Sequence, residues 1–158
     1  MLDLQAPCQA NDFYTTHIEM LLDSYRRLLG KPLLEGAAGQ SLGQQAFVAD
    51  FALLSHNTDV APLFNYANRM ALELFEFSWA EFIGMPSRLS AEPINREARE
   101  QLLAQVTSQG FIDNYSGVRI AKSGKRFLIE RAVVWNVYDS RQNYYGQAAC
   151  FSDWRLLP

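Results

Sequence analysis

Near the start of the chain, apolar residues recur every three or four positions, which predicts an amphipathic helix. Asn11 and Asp12 precede this stripe, and Gly30 and Pro32 follow it. These are the usual start and stop signals of a helix, here of about 17 residues. We expect the apolar face to contact the rest of the chain or a second protein, with five candidate interface residues: Ile18, Leu21, Leu22, Tyr25 and Leu28.

Two short apolar runs follow, and they predict two strands joined by a polar turn. The runs are 51–55 and 63–67, and the turn formers Asn57-Thr58-Asp59 lie between them. The preceding stretch, 35–45, has no sustained period and predicts a loop or a short irregular helix. We therefore divide the chain into a helical cap with its connector, 1–45, and a main domain, 46–158.

Polar residues at helix-capping positions predict two further helices after the second strand. The side chain of Asn68 can accept from the free N–H groups of the helix that follows it. Ser78 and Glu81 form a capping box, and Gly84 ends that helix.

Beyond residue 94 the period changes from helical to alternating. Asn95 is predicted to cap a helix that ends at Gly110 and whose apolar face holds Ala98, Leu102, Leu103 and Val106. The runs 111–122, 126–138 and 144–151 then predict three antiparallel strands, with Ser123-Gly124 as the first turn. The element order predicts an α+β fold, in which an antiparallel sheet of about five strands carries helices on one face and an N-terminal amphipathic helix.

The middle strand of this predicted meander is apolar on both faces. Its odd positions from Phe127 to Val137 are apolar except for Arg131, and Leu128, Ala132 and Val134 on the other face are also apolar. A sheet with one face in water should alternate cleanly, so part of the outer face must be covered. The N-terminal helix is the predicted cover, alone or together with a partner subunit.

Charge and cysteine content restrict the environment and the partners. The net charge of −3 gives no general attraction for nucleic acid or an anionic membrane. No apolar run approaches the ~18 residues of a membrane span. Cys8 and Cys150 lie in dissimilar surroundings, which predicts free thiols in a reducing compartment and a cytoplasmic protein.

Motifs for several common chemistries are absent from the sequence. There is no Gly-x-Gly-x-x-Gly, P-loop, Gly-x-Ser-x-Gly or Cys-x-x-Cys, so nucleotide, acyl-transfer and zinc sites have no motif support. Two histidines and two distant cysteines make a poor metal set. No Cys occurs between residues 60 and 110, which disfavours covalent flavin photochemistry. The cofactor is therefore left unassigned.

Several phrases of the sequence resemble the MEKHLA domain, a PAS-like family. The stretch 64–84 resembles the heart of a PAS domain, and the MEKHLA likeness extends from about His17 to Trp154. Its phrases are 56–59, 64–68, 86–93, 110–120 and 132–136. The family occurs as small stand-alone bacterial proteins, the type this chain resembles, and as the C-terminal domain of plant homeodomain-zipper regulators. The resemblance implies a PAS fold, a sensory or regulatory role and dimerisation, and it implies no particular ligand.

A PAS fold encloses a cavity between its helices and the inner sheet face, and ten residues are candidates to contact a ligand there. Arg88 and Glu92 either pair with each other or present a guanidinium to an acidic ligand. His56 is either a structural histidine or a ligand contact, and Trp79 and Trp135 are either core residues or an aromatic wall. The remaining candidates, which would supply polar contacts, are Ser87, Tyr66, Tyr115, Arg119 and Asn136.

These observations leave three functions open. The first is a sensory module that binds a small molecule and signals through protein contact, either as a homodimer or with another signalling protein. The second is an interaction or dimerisation module whose cavity is filled. The third is a small enzyme that uses the same pocket, with His56 or Asp113 as general base and Arg88 steadying an oxyanion.

Overall fold

The computed structural model of the chain describes residues 3–36, 38–91 and 96–158. Five α-helices occur in this described part: α1 (Thr15–Leu29), α2 (Leu42–Phe47), α3 (Arg69–Phe75), α4 (Trp79–Phe82) and α5 (Arg96–Gln109). The same ranges contain six strands: β1 (Ala52–His56), β2 (Phe64–Ala67), β3 (Phe111–Ile120), β4 (Arg126–Tyr138), β5 (Tyr144–Phe151) and β6 (Asp153–Leu156). Two short 3₁₀ segments complete the list, Gln9–Tyr14 and Ser87–Ser90.

The strands form one antiparallel sheet in the order β2-β1-β5-β4-β3, and β6 also pairs with β4. This confirms the predicted α+β fold, with one strand more than the five expected. Strand β5 pairs with β4 from Val133 to Tyr138, and β6 continues that edge from Phe127 to Glu130. The extra strand was missed because four residues are too short for a clear alternating pattern.

A bulge at Arg131 changes which residues of β4 lie on each face of the sheet. Gly117 pairs with Ile129 and Tyr115 pairs with Ala132. A step of two residues on β3 therefore corresponds to a step of three residues on β4. Arg131 adopts a left-handed φ of 53°, as a bulged residue does. The bulge moves odd positions to the opposite face, which corrects the simple odd-and-even division. The inner face of β4 carries Phe127, Ile129, Ala132, Val134 and Asn136, and the outer face carries Val133, Trp135 and Val137.

Helix α1 packs on the outer face of β4, as predicted. The Trp135 indole N–H donates to the Leu21 carbonyl over 3.0 Å, and the Tyr25 ring meets the Trp135 ring edge-on at 4.9 Å. The Ser24 hydroxyl accepts from the Tyr138 backbone N–H at 2.9 Å. The helix is thus fixed to the sheet by hydrogen bonds as well as by apolar contact.

This packing assigns three of the five candidate interface residues of α1 to the chain's own core. Ile18 and Leu21 are 0% exposed and Tyr25 is 5% exposed, so these three belong to the chain's own core. Leu28 packs beside Gly110, and Leu22 lines a surface groove between α1 and the turn after β4. A polar substitution at Leu21 therefore tests folding and not dimerisation.

Helices α3 and α4 begin at the predicted caps, and α5 contacts β3 and β4. Asn68 caps α3, and the Ser78 and Glu81 side chains form the predicted box at α4. Strands β3 and β4 turn at Gly124, where φ is 90°. Asn95, the predicted cap of α5, lies outside the described residues, and Ser87–Ser90 is a 3₁₀ turn where an irregular connector was expected. None of the described helices has the length and apolar character of a membrane span.

Candidate functional site

The inner face of the sheet and helix α5 enclose a cavity of about 60 Å³, here named the inner cavity. Its walls are mostly apolar, and include Leu54, Phe64, Phe75, Ile129, Val134 and Phe151. Five longer polar side chains also reach it: His56, Arg99, Tyr115, Arg119 and Gln147. An apolar cavity with a few converging polar groups is the usual form of a small-molecule site.

Arg99 is the most deeply buried cation of this site. It lies on the inner face of α5, 7% exposed, and one of its guanidinium nitrogens donates to the Ser87 hydroxyl over 2.7 Å. Burial, reinforced by the neighbouring charge of Arg119, lowers the pKa of Arg99 to about 10. The guanidinium is still charged at neutral pH, although water has been removed from most of it.

Arg119 approaches the same cavity from β3 and is 9% exposed. Its guanidinium donates to the Val118 carbonyl at 2.9 Å and to the Tyr115 hydroxyl at 3.1 Å, and it lies over the Tyr115 ring. Gly117, between them on the same face, leaves the space that these two side chains occupy, since a Cβ there would collide with the Tyr115 hydroxyl. The local sequence Tyr-x-Gly-x-Arg thus holds the guanidinium against the sheet.

Neither buried arginine has an acidic partner in the part of the chain that the structure describes. The ion pairs found there join other, largely exposed residues, such as Asp23 with Arg26 and Arg131 with Asp153. Two guanidinium groups therefore line one small apolar cavity without an ion pair to a carboxylate of residues 3–36, 38–91 or 96–158, although the charge of Glu100 partly opposes the lowering of the Arg99 pKa.

His56 adds a neutral polar group to the cavity wall. Its Nδ1 lies 3.0 Å from the Asn57 carbonyl, and its Nε2 is buried without a hydrogen-bond partner among the described residues. Burial, together with the charge of Arg99, lowers the pKa of His56, although the Asn57 carbonyl and the nearby Gln147 side chain act in the opposite direction. Gly146 allows β5 to approach the His56 carbonyl so closely that no Cβ would fit.

Three of the ten predicted ligand contacts line the inner cavity: His56, Tyr115 and Arg119. Ser87 is buried, and its hydroxyl accepts a hydrogen bond from Arg99. Asn136 lies on the inner face, but its amide is bound to the Val106 carbonyl and to Gln147, which makes it structural. Glu92 lies outside the described residues, so its pairing with Arg88 stays a prediction.

The structure corrects four other predicted contacts. Arg88 is exposed and does not line the cavity, and the same holds for Asp113, the proposed base of the catalytic alternative. Trp135 lies on the outer face because of the bulge at Arg131. Tyr66 and Trp79 belong to a second pocket, described next.

The second pocket, here named the outer pocket, has a volume of about 410 Å³ beside the N-terminal segment. Trp79 stacks on Tyr14 at 5.4 Å and donates to the Asp3 carbonyl, and Tyr66 meets Trp79 edge-on at 5.7 Å. The Tyr66 hydroxyl is buried and has no partner among the described residues, and burial raises its pKa. His17 also lines this pocket, and its imidazole is expected to make the stability of the protein depend on pH.

We expect the protein to lose stability as the pH falls below about 6.5, because burial lowers the pKa of His17 to about 4. The unfolded chain then takes up the proton first, so the stability present above pH 6.5 is lost on the way down to pH 4. The slope is up to about 1.4 kcal/mol per pH unit for each such histidine. Urea unfolding at pH 7.5 and 5.0 should show the loss, and His17→Gln should reduce it. An unchanged pH slope in that variant would contradict the assignment.

Sequence reasoning missed Arg99 and Gln147. Arg99 precedes Leu102, Leu103 and Val106 by three, four and seven residues, which is the spacing of one helix face. The prediction gave that position to Ala98, which is exposed. A cation on the apolar face of a helix was thus a visible signal of an unusual site.

Comparison with known proteins agrees with this architecture. The family model of the MEKHLA domain matches residues 15–156. Rice (Oryza sativa) homeobox-leucine zipper protein HOX10 is 30% identical over 138 residues, and rice HOX9 is 27% identical over 139 residues. These alignments cover 85% and 87% of this chain, but the chain spans 16% of the length of either relative.

Solved PAS and light-oxygen-voltage domains share the fold. The PAS domain of a protein from Colwellia psychrerythraea matches with a TM-score of 0.60 and 16% identity, over 72% of this chain and 92% of that one. The light-oxygen-voltage domain of the photoreceptor Aureochrome1 matches with a TM-score of 0.56 and 17% identity, over 76% and 87% of the two chains. At this identity the likeness concerns the fold alone. With the family match extending over nearly the whole sequence, the chain belongs to the MEKHLA domain family.

Proposed function

We propose that this protein is a PAS-like sensory module that binds a small organic anion in the inner cavity and signals through contact with another protein. The single observation that carries the proposal is the pair of buried arginines, Arg99 and Arg119, that face this cavity without an acidic partner in the described chain. The PAS and light-oxygen-voltage neighbours support a sensory role.

Charge gives the first reason for an anionic ligand. Removing a guanidinium from water costs several kcal/mol unless a counter-charge and hydrogen bonds replace the water. Burial is the main cause of the lowered pKa of Arg99, and repulsion by the Arg119 guanidinium adds to it. A carboxylate would relieve both costs, because its two oxygens match the planar fork of an arginine.

The volume and the apolar walls of the inner cavity restrict the kind of anion further. A volume of about 60 Å³ holds roughly four to six water-sized groups. It is far smaller than the ~300–1,000 Å³ of a site for a drug-sized ligand. The apolar walls favour a ligand with a hydrocarbon body over an inorganic anion. A short aliphatic carboxylate satisfies both conditions.

The two arginines lie on different elements, which suggests how ligand binding changes the protein surface. Arg99 belongs to α5 and Arg119 to β3, so one anion would bridge a helix and the sheet. Without the anion, the like charges favour separation of the two elements. We propose that this change alters the surface offered to a partner, either a second copy or another signalling protein, which light scattering with and without propionate would detect.

Propionate should raise the melting temperature of the wild-type protein relative to an equal concentration of chloride, because a ligand that binds only the folded state stabilises it. Arg99→Met and Arg119→Met should lose this rise, and Arg88→Met, at an exposed position, should keep it. Differential scanning calorimetry at several propionate concentrations measures the effect. The same rise in all four proteins would contradict the proposal.

The two arginine variants are not equivalent in the absence of propionate. Arg99→Met leaves the buried Ser87 hydroxyl without its donor, whereas Arg119→Met removes only bonds to Tyr115 and Val118. Arg119→Met is therefore the cleaner test, and it should be at least as stable as the wild type without propionate, because it removes a buried unpaired charge.

Glu92 provides a further control, since this carboxylate lies outside the described residues and close in sequence to α5. Glu92→Gln should leave the response to propionate unchanged. If Glu92 were instead the counter-charge of Arg99, this variant would be strongly destabilised and would respond more to propionate, which would contradict the account.

A further inference from the structure

His56 gives the inner cavity a hydrogen-bond acceptor whose role is fixed by geometry. Its Nδ1 lies 3.0 Å from the Asn57 carbonyl, and a carbonyl can only accept, so Nδ1 carries the proton. In a neutral imidazole the other nitrogen then has a free lone pair. This nitrogen, Nε2, is buried and has no partner among the described residues.

The surroundings keep this imidazole neutral at pH 7. Burial and the positive charge of Arg99 both disfavour an imidazolium, and together they outweigh the opposing effects of the Asn57 carbonyl and the nearby Gln147 side chain. Nε2 can therefore accept a hydrogen bond from a donor group of a ligand. Buried acceptors are nearly always satisfied in native proteins, so an orphan acceptor on a cavity wall indicates a ligand donor.

We infer that the ligand is a small 2-hydroxycarboxylate, whose carboxylate binds Arg99 and Arg119 and whose hydroxyl donates to Nε2 of His56. The inference rests on the proposed function and deepens it. All three side chains line one cavity of about 60 Å³, so a molecule of the size of glycolate or lactate meets them together.

Charge distinguishes a hydroxyl from the other common donor, an ammonium group. A 2-amino acid also offers N–H donors beside its carboxylate, but its ammonium would lie close to two guanidinium groups that form no ion pair among the described residues. Like charges at this distance in a desolvated site repel strongly. The hydroxyl gives the hydrogen bond without the repulsion.

Isothermal titration calorimetry of the wild-type protein at pH 7.5 with glycolate, acetate and glycine tests the inference, because these three probes differ only in the second group. We expect glycolate to bind about five- to tenfold more tightly than acetate, the value of one additional hydrogen bond, and glycine to bind more weakly than acetate. Equal affinities for glycolate and acetate, both lost in Arg119→Met, would overturn the hydroxyl assignment and leave the proposed function intact. No binding of any of the three, nor of lactate or propionate, would overturn both.

His56→Leu should bind acetate as the wild type does and should lose the preference for glycolate, whereas His17→Gln, in the outer pocket, should keep it. If His56→Leu does not fold, the wild-type protein still gives an answer through the ¹⁵N resonance of His56 Nε2. This resonance should shift on addition of glycolate and not on addition of acetate, because only a hydroxyl donates to the lone pair. A shift of equal size with both probes would contradict the inference.

Discussion

Asn68→Ala should lower the free energy of unfolding by about 3 to 5 kcal/mol, since it combines a lost helix cap with the loss of buried hydrogen bonds. The Asn68 side chain is 0% exposed and bonds to the backbone of four residues. Its oxygen accepts from the N–H groups of Leu53 and Ala71 at 3.0 and 3.1 Å. Its nitrogen donates to the carbonyls of Ala46 and Phe51 at 3.0 and 2.8 Å. One amide thus joins α2, β1 and α3.

Ser78→Ala is the matched control for this prediction, and urea unfolding measures both. Ser78 caps α4 from an exposed position and accepts from one N–H group, that of Glu81. The loss should therefore be that of a cap alone, about 1 kcal/mol. Similar losses in the two variants would show that Asn68 is only a cap.

Trp135→Ala should cost about 3 to 5 kcal/mol of unfolding free energy, the range for a large aromatic side chain removed from a core. The residue is 0% exposed between β4 and α1, and the variant loses the indole bond to the Leu21 carbonyl and the contact with Tyr25. Because this contact fixes α1 to the sheet, amide exchange in α1 should also accelerate.

Trp154→Ala makes the same substitution at a half-buried position on β6, where the ring meets Phe151 edge-on at 5.9 Å. Its cost should stay below about 2 kcal/mol, since less apolar area leaves contact with the protein. If both tryptophan variants lost the same stability, the covering of the outer face by α1 would not be the main contribution of Trp135.

The fold could be predicted from the sequence because its signals are local. The caps at Asn68 and Ser78, the turn at Gly124 and the change of period after Gly110 each act within a few residues. Because both faces of β4 are apolar, it could also be predicted that the N-terminal helix covers the outer face. The bulge at Arg131 could not be predicted, because it depends on how β3 pairs with β4 and leaves no mark in the alternation of one strand.

The site was predicted less well, because its residues are brought together by strand pairing and not by local signals. His56, Tyr115 and Arg119 were found from their residue types, but Trp135 and Tyr66 were assigned to the wrong face because strand pairing decides which face a side chain joins. Arg99 was overlooked although its spacing with Val106 places it on the inner face of α5. A buried cation is costly, so such a residue on an apolar stripe is stronger evidence for a site than an exposed arginine such as Arg88.

A crystal structure of the protein grown with glycolate tests the central claim most directly. The account predicts one glycolate in the inner cavity, with carboxylate oxygens about 3 Å from the guanidinium nitrogens of Arg99 and Arg119 and the hydroxyl at hydrogen-bond distance from Nε2 of His56. A cavity filled by the protein's own side chains, with Arg99 paired to a carboxylate of the chain itself, would contradict it.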